Sequence, residues 1–268
     1  MRRIIPLICE GQDLLATLDG PADAKKGWLF VVGGTQTRVG PHRLYERLSA
    51  RLAQAGQAVI RFDRRGVGDS GGLDSGYLES AAEIDAAGDA LKYHFPDLSE
   101  IFGFGLCDGA SAIAEAAPSL SGAVLANPWV VEPTDDLPPA AAIRGHYARR
   151  LLDPRAWGRL LGGGVNLRRL ARGLLRSGAR ADDSLVRRFA AGIPQDSRIV
   201  LAEGDGTAQA FSAAWRGLAG KRPRVEIVTV STASHSFADP PAFEALAKAL
   251  LDYSAATASS ASKSISAR

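Results

Sequence analysis

The 268-residue sequence is poor in several residue types that would point to particular classes of protein. It contains two cysteines, Cys9 and Cys107, which could form one disulfide at most, and a chain of this size does not need one. Its four histidines are scattered, and none lies at a zinc-ligand spacing from a cysteine. We therefore predict neither a metal site nor a cofactor.

Long hydrophobic runs are also missing. No segment approaches the roughly 20 consecutive apolar residues that a membrane-spanning helix needs. The apolar run Ile4–Cys9 is too short for a signal peptide and is interrupted by Pro6. Because 46% of the residues are hydrophobic and 23% are charged, the composition is typical of a soluble globular protein, and we expect it in the cytoplasm.

Short apolar runs alternate with segments of helical periodicity, which predicts a mostly parallel sheet covered by helices on both faces. The predicted strands are Ile4–Ile8, Leu14–Leu18, Trp28–Val32, Ala58–Phe62, Glu100–Phe104, Ala123–Ala126, Arg198–Ala202 and Val225–Val230, the first two forming an antiparallel pair. The predicted helices are Pro41–Ala55, Leu78–His94, Ser111–Ala117 and Pro241–Tyr253.

The strand and helix alternation divides the chain into three parts. One α/β core is expected from residues 1–132 and 195–253. Residues 133–194 interrupt the alternation after the sixth strand, where a helical cap can be inserted over the carboxyl edge of a sheet. The tail, residues 254–268, is rich in serine and alanine without apolar periodicity, so we expect disorder there.

A short string with glycine at both ends follows the fifth predicted strand: Gly105-Leu106-Cys107-Asp108-Gly109. Such a string between a strand and a helix is typical of a nucleophile elbow, where the reactive side chain sits on a strained turn and its neighbours must lack bulk. Cysteine here takes the place of the more frequent serine. The alternative is a glycine-rich turn around a buried, inert cysteine.

A thiol attacks as the thiolate, so Cys107 needs a base and a group that orients the base. Asp205 follows the seventh predicted strand, and His235 follows the eighth. The order nucleophile, acid, histidine is the one that α/β-hydrolases use, so we predict a triad of these three residues. Glu203 competes for the role of the acid, and each residue alone could be an ordinary loop residue.

An acyl-transfer intermediate needs hydrogen-bond donors for its oxyanion. We expect one donor to be the backbone N–H of Asp108, directly after the nucleophile. The other should come from the loop after the third strand, where we predict the N–H of Thr35. Gly34, Gln36 and His42 are weaker candidates for contact with substrate, and the alternative is that the glycines of this loop only form a tight turn.

These features together predict the α/β-hydrolase fold, with an eight-stranded, mostly parallel sheet, helices on both faces and a helical cap after the sixth strand. The loop after the fourth strand, Asp63–Ser70, resembles the Asp-x-Arg-Gly-x-Gly-x-Ser loop found widely in proteins of this fold. We interpret its charged residues as structural braces near the site. Direct participation in the reaction is not expected of them.

Three groups of residues resemble the exosortase A system-associated hydrolases of the first type, a bacterial α/β-hydrolase family encoded with exopolysaccharide and exosortase genes. They are Val31–Gly34 with Arg38–Gly40 and His42-Arg43, Arg61–Asp63 with Arg65-Gly66 and Gly68–Ser70, and Gly105–Asp108. Asp205 and His235 fit the same pattern. The resemblance implies a hydrolase fold and that genomic setting, but no particular substrate. Thr35, Arg64 and Gly109 depart from the Pro, Tyr and Ala expected in the family, which leaves the pocket less defined than the triad.

Positive charge is concentrated in the predicted cap. The stretch from Arg144 to Arg188 carries a net charge of +9, so the rest of the chain carries −6. Leucines at helical spacing opposite the stripe Arg168, Arg172 and Arg176 predict a basic amphipathic helix. Its arginines are either solvated or bind an anionic membrane surface or an acidic glycan. Nucleic acid is not expected, because aromatic residues are not interleaved with this stripe.

The sequence therefore predicts an enzyme that cleaves an ester or thioester through an acyl-cysteine intermediate, acting on a small-molecule or lipid-linked acyl substrate. Acyl transfer to a glycan or a lipid-linked acceptor would use the same residues, with a hydroxyl group in place of water. The rival from another class is a non-catalytic scaffold that keeps the fold around an inert cysteine. A location at the inner face of the membrane would follow if the arginine stripe binds lipid, and the oligomeric state is left open.

Overall fold

The computed structural model describes residues 1–116, 118–131, 184–218, 220 and 222–265. The strands of its sheet are β1 (Arg2–Cys9), β2 (Gln12–Asp19), β3 (Lys26–Val31), β4 (Ala58–Phe62), β5 (Glu100–Leu106), β6 (Gly122–Ala126), β7 (Arg198–Ala202) and β8 (Glu226–Val230). They form an eight-stranded sheet in the order β1-β2-β4-β3-β5-β6-β7-β8. β2 pairs antiparallel with β1 and with β4, and the other neighbours are parallel, so the predicted sheet is confirmed.

The helices of the described residues are α1 (Leu44–Gln54), α2 (Ala81–His94), α3 (Asp108–Ala116), α4 (Ser184–Gly192), α5 (Gly206–Gly217) and α6 (Pro240–Ile265). Short 3-10 turns at Pro41–Arg43 and Tyr77–Glu79 precede α1 and α2. None of the described helices is long and apolar enough to cross a membrane.

The sheet has a hydrophobic core on each face. Alternate residues of β3 point to opposite sides, so Leu29 packs with residues of α2, α3 and α5, while Trp28 and Phe30 pack with residues of α1 and α6. A strand covered on both faces is buried along its whole length, and in β4 every residue from Ala58 to Phe62 is buried, with Arg61 as its one charged residue. Helices on both faces of the sheet were predicted and are confirmed.

The final helix differs from the prediction. Composition predicted that it ends at Tyr253 and that a disordered tail follows, but α6 continues to Ile265. The residues after Pro241 up to that point include neither glycine nor proline, and alanine has the highest helix propensity of all residues. The helix therefore ends later than predicted, and the disorder expected of the tail stays a prediction.

The predicted cap lies mostly outside the described residues, as does its arginine stripe at Arg168, Arg172 and Arg176. Of residues 133–194, the structure describes the last part, which contains α4. This helix buries Leu185, Val186 and Phe189. Phe189 makes an edge-to-face contact with Phe211 of α5, so α4 packs against the core.

Candidate active site

The predicted elbow is a sharp turn between β5 and α3. Cys107 sits at its apex with a φ of 60°, in the left-handed region that residues other than glycine rarely adopt. A Cβ at Gly105 would lie 2.5 Å from the amide nitrogen of Ala110, and one at Gly109 would lie 2.4 Å from the carbonyl oxygen of Val31. The two glycines therefore allow strand and helix to approach closely enough to form the turn. The thiol at its apex is partly exposed.

The backbone of Cys107 is fixed from both sides. Its N–H donates to the carbonyl of Ala126, the last residue of β6, at 2.9 Å. Its carbonyl accepts from the N–H groups of Ala110 at 3.1 Å and Trp129 at 3.2 Å. The turn is thus part of the hydrogen-bonding of the sheet and of the following helix, and the strained φ is held by these partners.

Tyr45 also stabilises the elbow, and sequence analysis did not find it. Its buried hydroxyl donates to the carbonyl of Val31 and accepts from the N–H of Leu106, both at 3.0 Å. The hydroxyl therefore joins the ends of β3 and β5 where these strands separate. Burial, the largest cause, raises the pKa of Tyr45 far above its usual value, so this hydroxyl stays protonated.

The predicted acid and base lie together on the loops after β7 and β8. His235 Nδ1 is 3.1 Å from Asp205 Oδ2. The same carboxylate oxygen accepts from the N–H of Ala208 at 2.9 Å, so Asp205 is also the N-cap of α5. Glu203, the competing acid, is exposed to solvent, whereas Asp205 is buried. The structure therefore gives His235 the carboxylate partner that the strand order predicted.

The imidazole of His235 links Asp205 to Cys107. Its hydrogen bond to Asp205 is the largest of the interactions that raise the pKa of His235 to about 10, and a hydrogen bond with Cys107 is the next. Burial opposes both, because it disfavours the charged form. The structure thus brings together the three residues that were predicted to form the triad, with the imidazole between the carboxylate and the sulfur.

Asn127 holds the loop that carries His235, and it was not recognised as a site residue from the sequence. Its side chain is fully buried, with Nδ2 donating to the carbonyl of His235 at 2.9 Å and Oδ1 accepting from the N–H of Ala202 at 2.8 Å. The amide therefore connects the end of β7 to the histidine loop. The available signal was Asn127-Pro128 directly after β6, a polar residue at the carboxyl end of a buried strand.

The loop after β3 lies against the elbow, as predicted for a loop that supplies an oxyanion donor. The N–H of Gly34, whose φ is 55°, donates to Asp108 Oδ2 at 2.6 Å. A Cβ at Gly33 would lie 2.9 Å from both the amide nitrogen of Gly109 and the carbonyl oxygen of Leu106, so glycine is required there. The loop also closes a turn in which the N–H of Gln36 donates to the carbonyl of Gly33 at 3.2 Å.

The remaining predicted site residues differ in their surroundings. The N–H of Gly34 donates to Asp108 and its carbonyl accepts from Arg64, so both backbone groups of Gly34 hold the loop, and its predicted contact with substrate stays a prediction. Thr35, Gln36 and His42 are exposed. Their predicted contacts with substrate or oxyanion stay predictions.

The charged loop after β4 binds the loop after β3, which agrees with its interpretation as a brace. The fully buried Asp63 accepts from the backbone N–H of Arg38 at 2.5 Å and pairs with the Arg38 guanidinium. Arg61, also buried, donates to the carbonyl of Arg38 at 3.0 Å. Arg64 Nη2 donates to the carbonyl of Gly34 at 2.5 Å.

Comparison with solved structures identifies the fold. An esterase of Pyrococcus furiosus is 17% identical and aligns over 94% of this chain and 89% of its own, with a TM-score of 0.63. The thioesterase domain from the curacin biosynthetic pathway is 14% identical over 94% of this chain and 99% of its own (TM-score 0.59). A proline iminopeptidase-related protein of Thermus thermophilus is 20% identical over 96% and 98% (TM-score 0.58). The chain has the α/β-hydrolase fold, as predicted.

No family model matches the sequence, and no curated protein matches it. The resemblance to exosortase-associated hydrolases therefore stays a prediction. Because these solved structures are at most 20% identical to the chain, they identify its fold only. The reaction has to be inferred from the residues of the site.

Proposed function

We propose that the protein hydrolyses an ester or thioester through an acyl intermediate on Cys107. The observation that carries this proposal is the position of the His235 imidazole, whose Nδ1 lies 3.1 Å from Asp205 Oδ2 and whose pKa is also raised by Cys107, the thiol at the apex of a strained elbow. A structural cysteine needs neither a left-handed backbone nor a paired imidazole beside it. The esterase and the thioesterase among the solved structures of this fold support the same reaction class.

The first half of the reaction follows from the charge on His235. Its pKa of about 10 means that at neutral pH the ring carries both protons, so the proton needed by the leaving group is already in place. The thiolate of Cys107 attacks the carbonyl carbon, and the carbonyl oxygen becomes an oxyanion within reach of the N–H groups of Asp108 and Thr35. The bond to the leaving alcohol or thiol then breaks, and His235 Nε2 gives that group its proton.

The second half returns the protein to its starting state. Neutral His235 takes a proton from a water molecule, and the resulting hydroxide attacks the thioester carbon. The second oxyanion collapses, Cys107 leaves as thiolate and the carboxylic acid is released. Asp205 holds the ring with Nδ1 towards itself throughout, so that Nε2 faces the sulfur and the substrate. Acyl transfer would differ only in that a hydroxyl group of an acceptor replaces the water.

An assay with activated substrates tests the proposal. Wild-type protein should release p-nitrophenol from p-nitrophenyl acetate and thiophenol from phenyl thioacetate, and mass spectrometry should find one acetyl group on Cys107. Cys107→Ala should abolish both. Cys9→Ala is the matched control, because Cys9 is a buried core cysteine on β1 whose pKa burial raises, and it should keep full activity.

The outcomes separate the enzyme from the scaffold. Release of product by Cys107→Ala at the wild-type rate, or acetylation of Cys9 in place of Cys107, would overturn the covalent mechanism. Absence of any acetylation by either substrate would favour the non-catalytic scaffold. Adding glycerol or a sugar as acceptor distinguishes transfer from hydrolysis, because a transferase would form the acetylated acceptor faster than acetate.

A further inference from the structure

We infer that Arg64 is a positioning residue that aims the backbone N–H of Thr35 at the oxyanion. The inference rests on the proposed function and adds a residue that the triad does not include. Arg64 is 2% exposed, and its Nη2 donates to the carbonyl of Gly34 at 2.5 Å. The group that this buried arginine binds is therefore the backbone carbonyl of Gly34.

Gly34 is held at both of its backbone groups. Arg64 binds its carbonyl from the side of β4, and Asp108 binds its N–H from the side of the elbow. A residue whose N–H and C=O are both fixed cannot rotate its flanking peptide planes freely. This matters most at glycine, which has the widest choice of backbone conformation.

The carbonyl of Gly34 and the N–H of Thr35 belong to the same planar trans peptide, so they point in opposite directions. Strand β3, which precedes this loop, lies between β4 and β5. Arg64 follows β4, whereas Cys107 follows β5. A carbonyl turned towards Arg64 therefore turns the next N–H away from β4 and towards the side where the thiol lies.

The charge on Arg64 acts in the same direction. Within the part of the chain that the structure describes, its Nε and Nη1 are buried without a hydrogen-bond partner, and a carboxylate oxygen of Asp74 lies 3.7 Å from Nη2. Burying a guanidinium with unpaired donors costs stability. We infer that this cost is retained because the positive charge of Arg64 stabilises the oxyanion. The charge lies on the carbonyl side of the Gly34–Thr35 peptide, opposite the N–H that faces the oxyanion, and it also counters the negative charge of the Asp108 carboxylate.

Two reactions of the same thiol separate positioning of the oxyanion donor from general damage. Acylation by p-nitrophenyl acetate passes through an oxyanion, whereas alkylation by iodoacetamide does not. The measured quantity is the ratio of the two second-order rate constants at Cys107, acylation over alkylation, which is compared between each variant and the wild type. In Arg64→Met the ratio of acylation to alkylation should fall by about 10- to 100-fold. This is no more than the fall in rate expected when a whole oxyanion donor is removed, because the N–H of Thr35 is still present but is less well aimed. Arg64→Lys should recover part of the ratio, since a single ammonium can still reach a carbonyl.

Arg65→Met is the matched control. It removes the neighbouring guanidinium, which binds the buried Glu83 rather than the loop after β3, and should lower stability while leaving the ratio unchanged. An equal loss of acylation and alkylation in Arg64→Met, or the same fall of the ratio in Arg65→Met, overturns the inference.

A second measurement keeps this inference separate from the proposed function. If wild-type Cys107 is not acylated at all, the proposed function fails, and amide hydrogen exchange then decides about Arg64 alone. The N–H of Gly34 is protected by Asp108, so freeing its carbonyl in Arg64→Met should make this amide exchange faster by at least about tenfold, relative to Arg65→Met. Unchanged exchange at Gly34 means that Arg64 does not hold the loop.

Discussion

Cys107 is held in place by the backbone around it, whereas His235 is held by side chains from distant parts of the chain. At the elbow, the positions of strand and helix, two glycines without room for a Cβ and four backbone hydrogen bonds of Cys107 fix the residue that carries the thiol. At the base, the carboxylate of Asp205 orients the ring and the amide of Asn127 holds the carbonyl of the same residue. Close packing of the backbone leaves Cys107 little freedom to move. The side-chain contacts that hold His235 can be removed one at a time by substitution.

The largest expected effect is at the elbow. In Gly105→Ala the new Cβ would lie 2.5 Å from the backbone of Ala110 and Gly109, which cannot move without breaking the turn. We expect the free energy of unfolding to fall by about 3 kcal/mol or more, with loss of thiol reactivity, because overpacking at rigid backbone is costly. The midpoint of urea unfolding measures it.

Gly217→Ala is the control for that substitution. Gly217 is the last residue of α5, and a Cβ there meets nothing within 4 Å. Its stability should be unchanged or higher by about 0.5 kcal/mol. If Gly105→Ala unfolds at the same urea concentration as the wild type, close backbone packing does not hold the elbow. Cys107 and His235 would then not differ in how they are held in place.

The next effect concerns the acid. Asp205→Asn should lower kcat for ester hydrolysis by about 10²- to 10⁴-fold, because asparagine no longer stabilises the imidazolium or fixes its tautomer. Asparagine still caps α5 by accepting from Ala208, so the unfolding midpoint measured above about pH 10, where His235 is neutral, should stay near that of the wild type. Glu203→Gln, in the same loop but exposed, should be silent. A damaging Glu203→Gln beside a silent Asp205→Asn would reverse the assignment.

A smaller effect is expected at Asn127. Asn127→Asp keeps the acceptor for the N–H of Ala202 but loses the donor to the carbonyl of His235. We expect a loss of about 1–3 kcal/mol in stability and a fall of about tenfold in kcat with little change in KM, since the carbonyl of His235 is left without its donor and the base shifts.

Gln57→Glu is a matched control for Asn127→Asp. Gln57 also bridges two elements through its side-chain amide, accepting from Trp28 and donating to Ser254, but the elements it joins lie away from the triad. It should lose comparable stability and keep its kcat. Equal falls of kcat in both variants would show that Asn127 acts through the stability of the fold and does not position the base.

The same contrast explains what could be predicted from the sequence. The strands and the elbow were found because their signals are local: a continuous apolar run, a glycine two positions on each side of a cysteine, an acid and a histidine directly after strands. Asp205 and His235 followed from the order of strands, which the parallel sheet converts into proximity at one edge.

The residues that position the site could not be found in this way. Asn127 and His235 are 108 positions apart in the sequence, and the hydroxyl of Tyr45 binds Leu106, 61 positions away. A single polar residue has no periodicity, so nothing local marks its partner. The end of the last helix was also missed, because α6 continues past Tyr253 to Ile265 through an alanine-rich sequence that has neither glycine nor proline.

The smallest expected effect is the pH dependence of stability that His235 contributes. Its pKa is raised from 6.5 to about 10 in the folded protein, mainly by the hydrogen bond to Asp205. The folded state therefore holds this proton more tightly than the unfolded state. The stability due to His235 is fully present below about pH 6.5 and is lost as the pH rises through that interval towards 10.

Urea unfolding of the wild type and of His235→Gln, repeated at several pH values across that interval, measures this contribution as the difference between the two free energies of unfolding. The difference should decrease steadily with rising pH. In the Asp205→Asn background the same difference should be smaller and flatter, because the largest cause of the raised pKa is gone. A difference that grows with pH, or that is equally steep with and without Asp205, would mean that the carboxylate does not hold the imidazolium, and the base would then be no more firmly placed than any loop histidine.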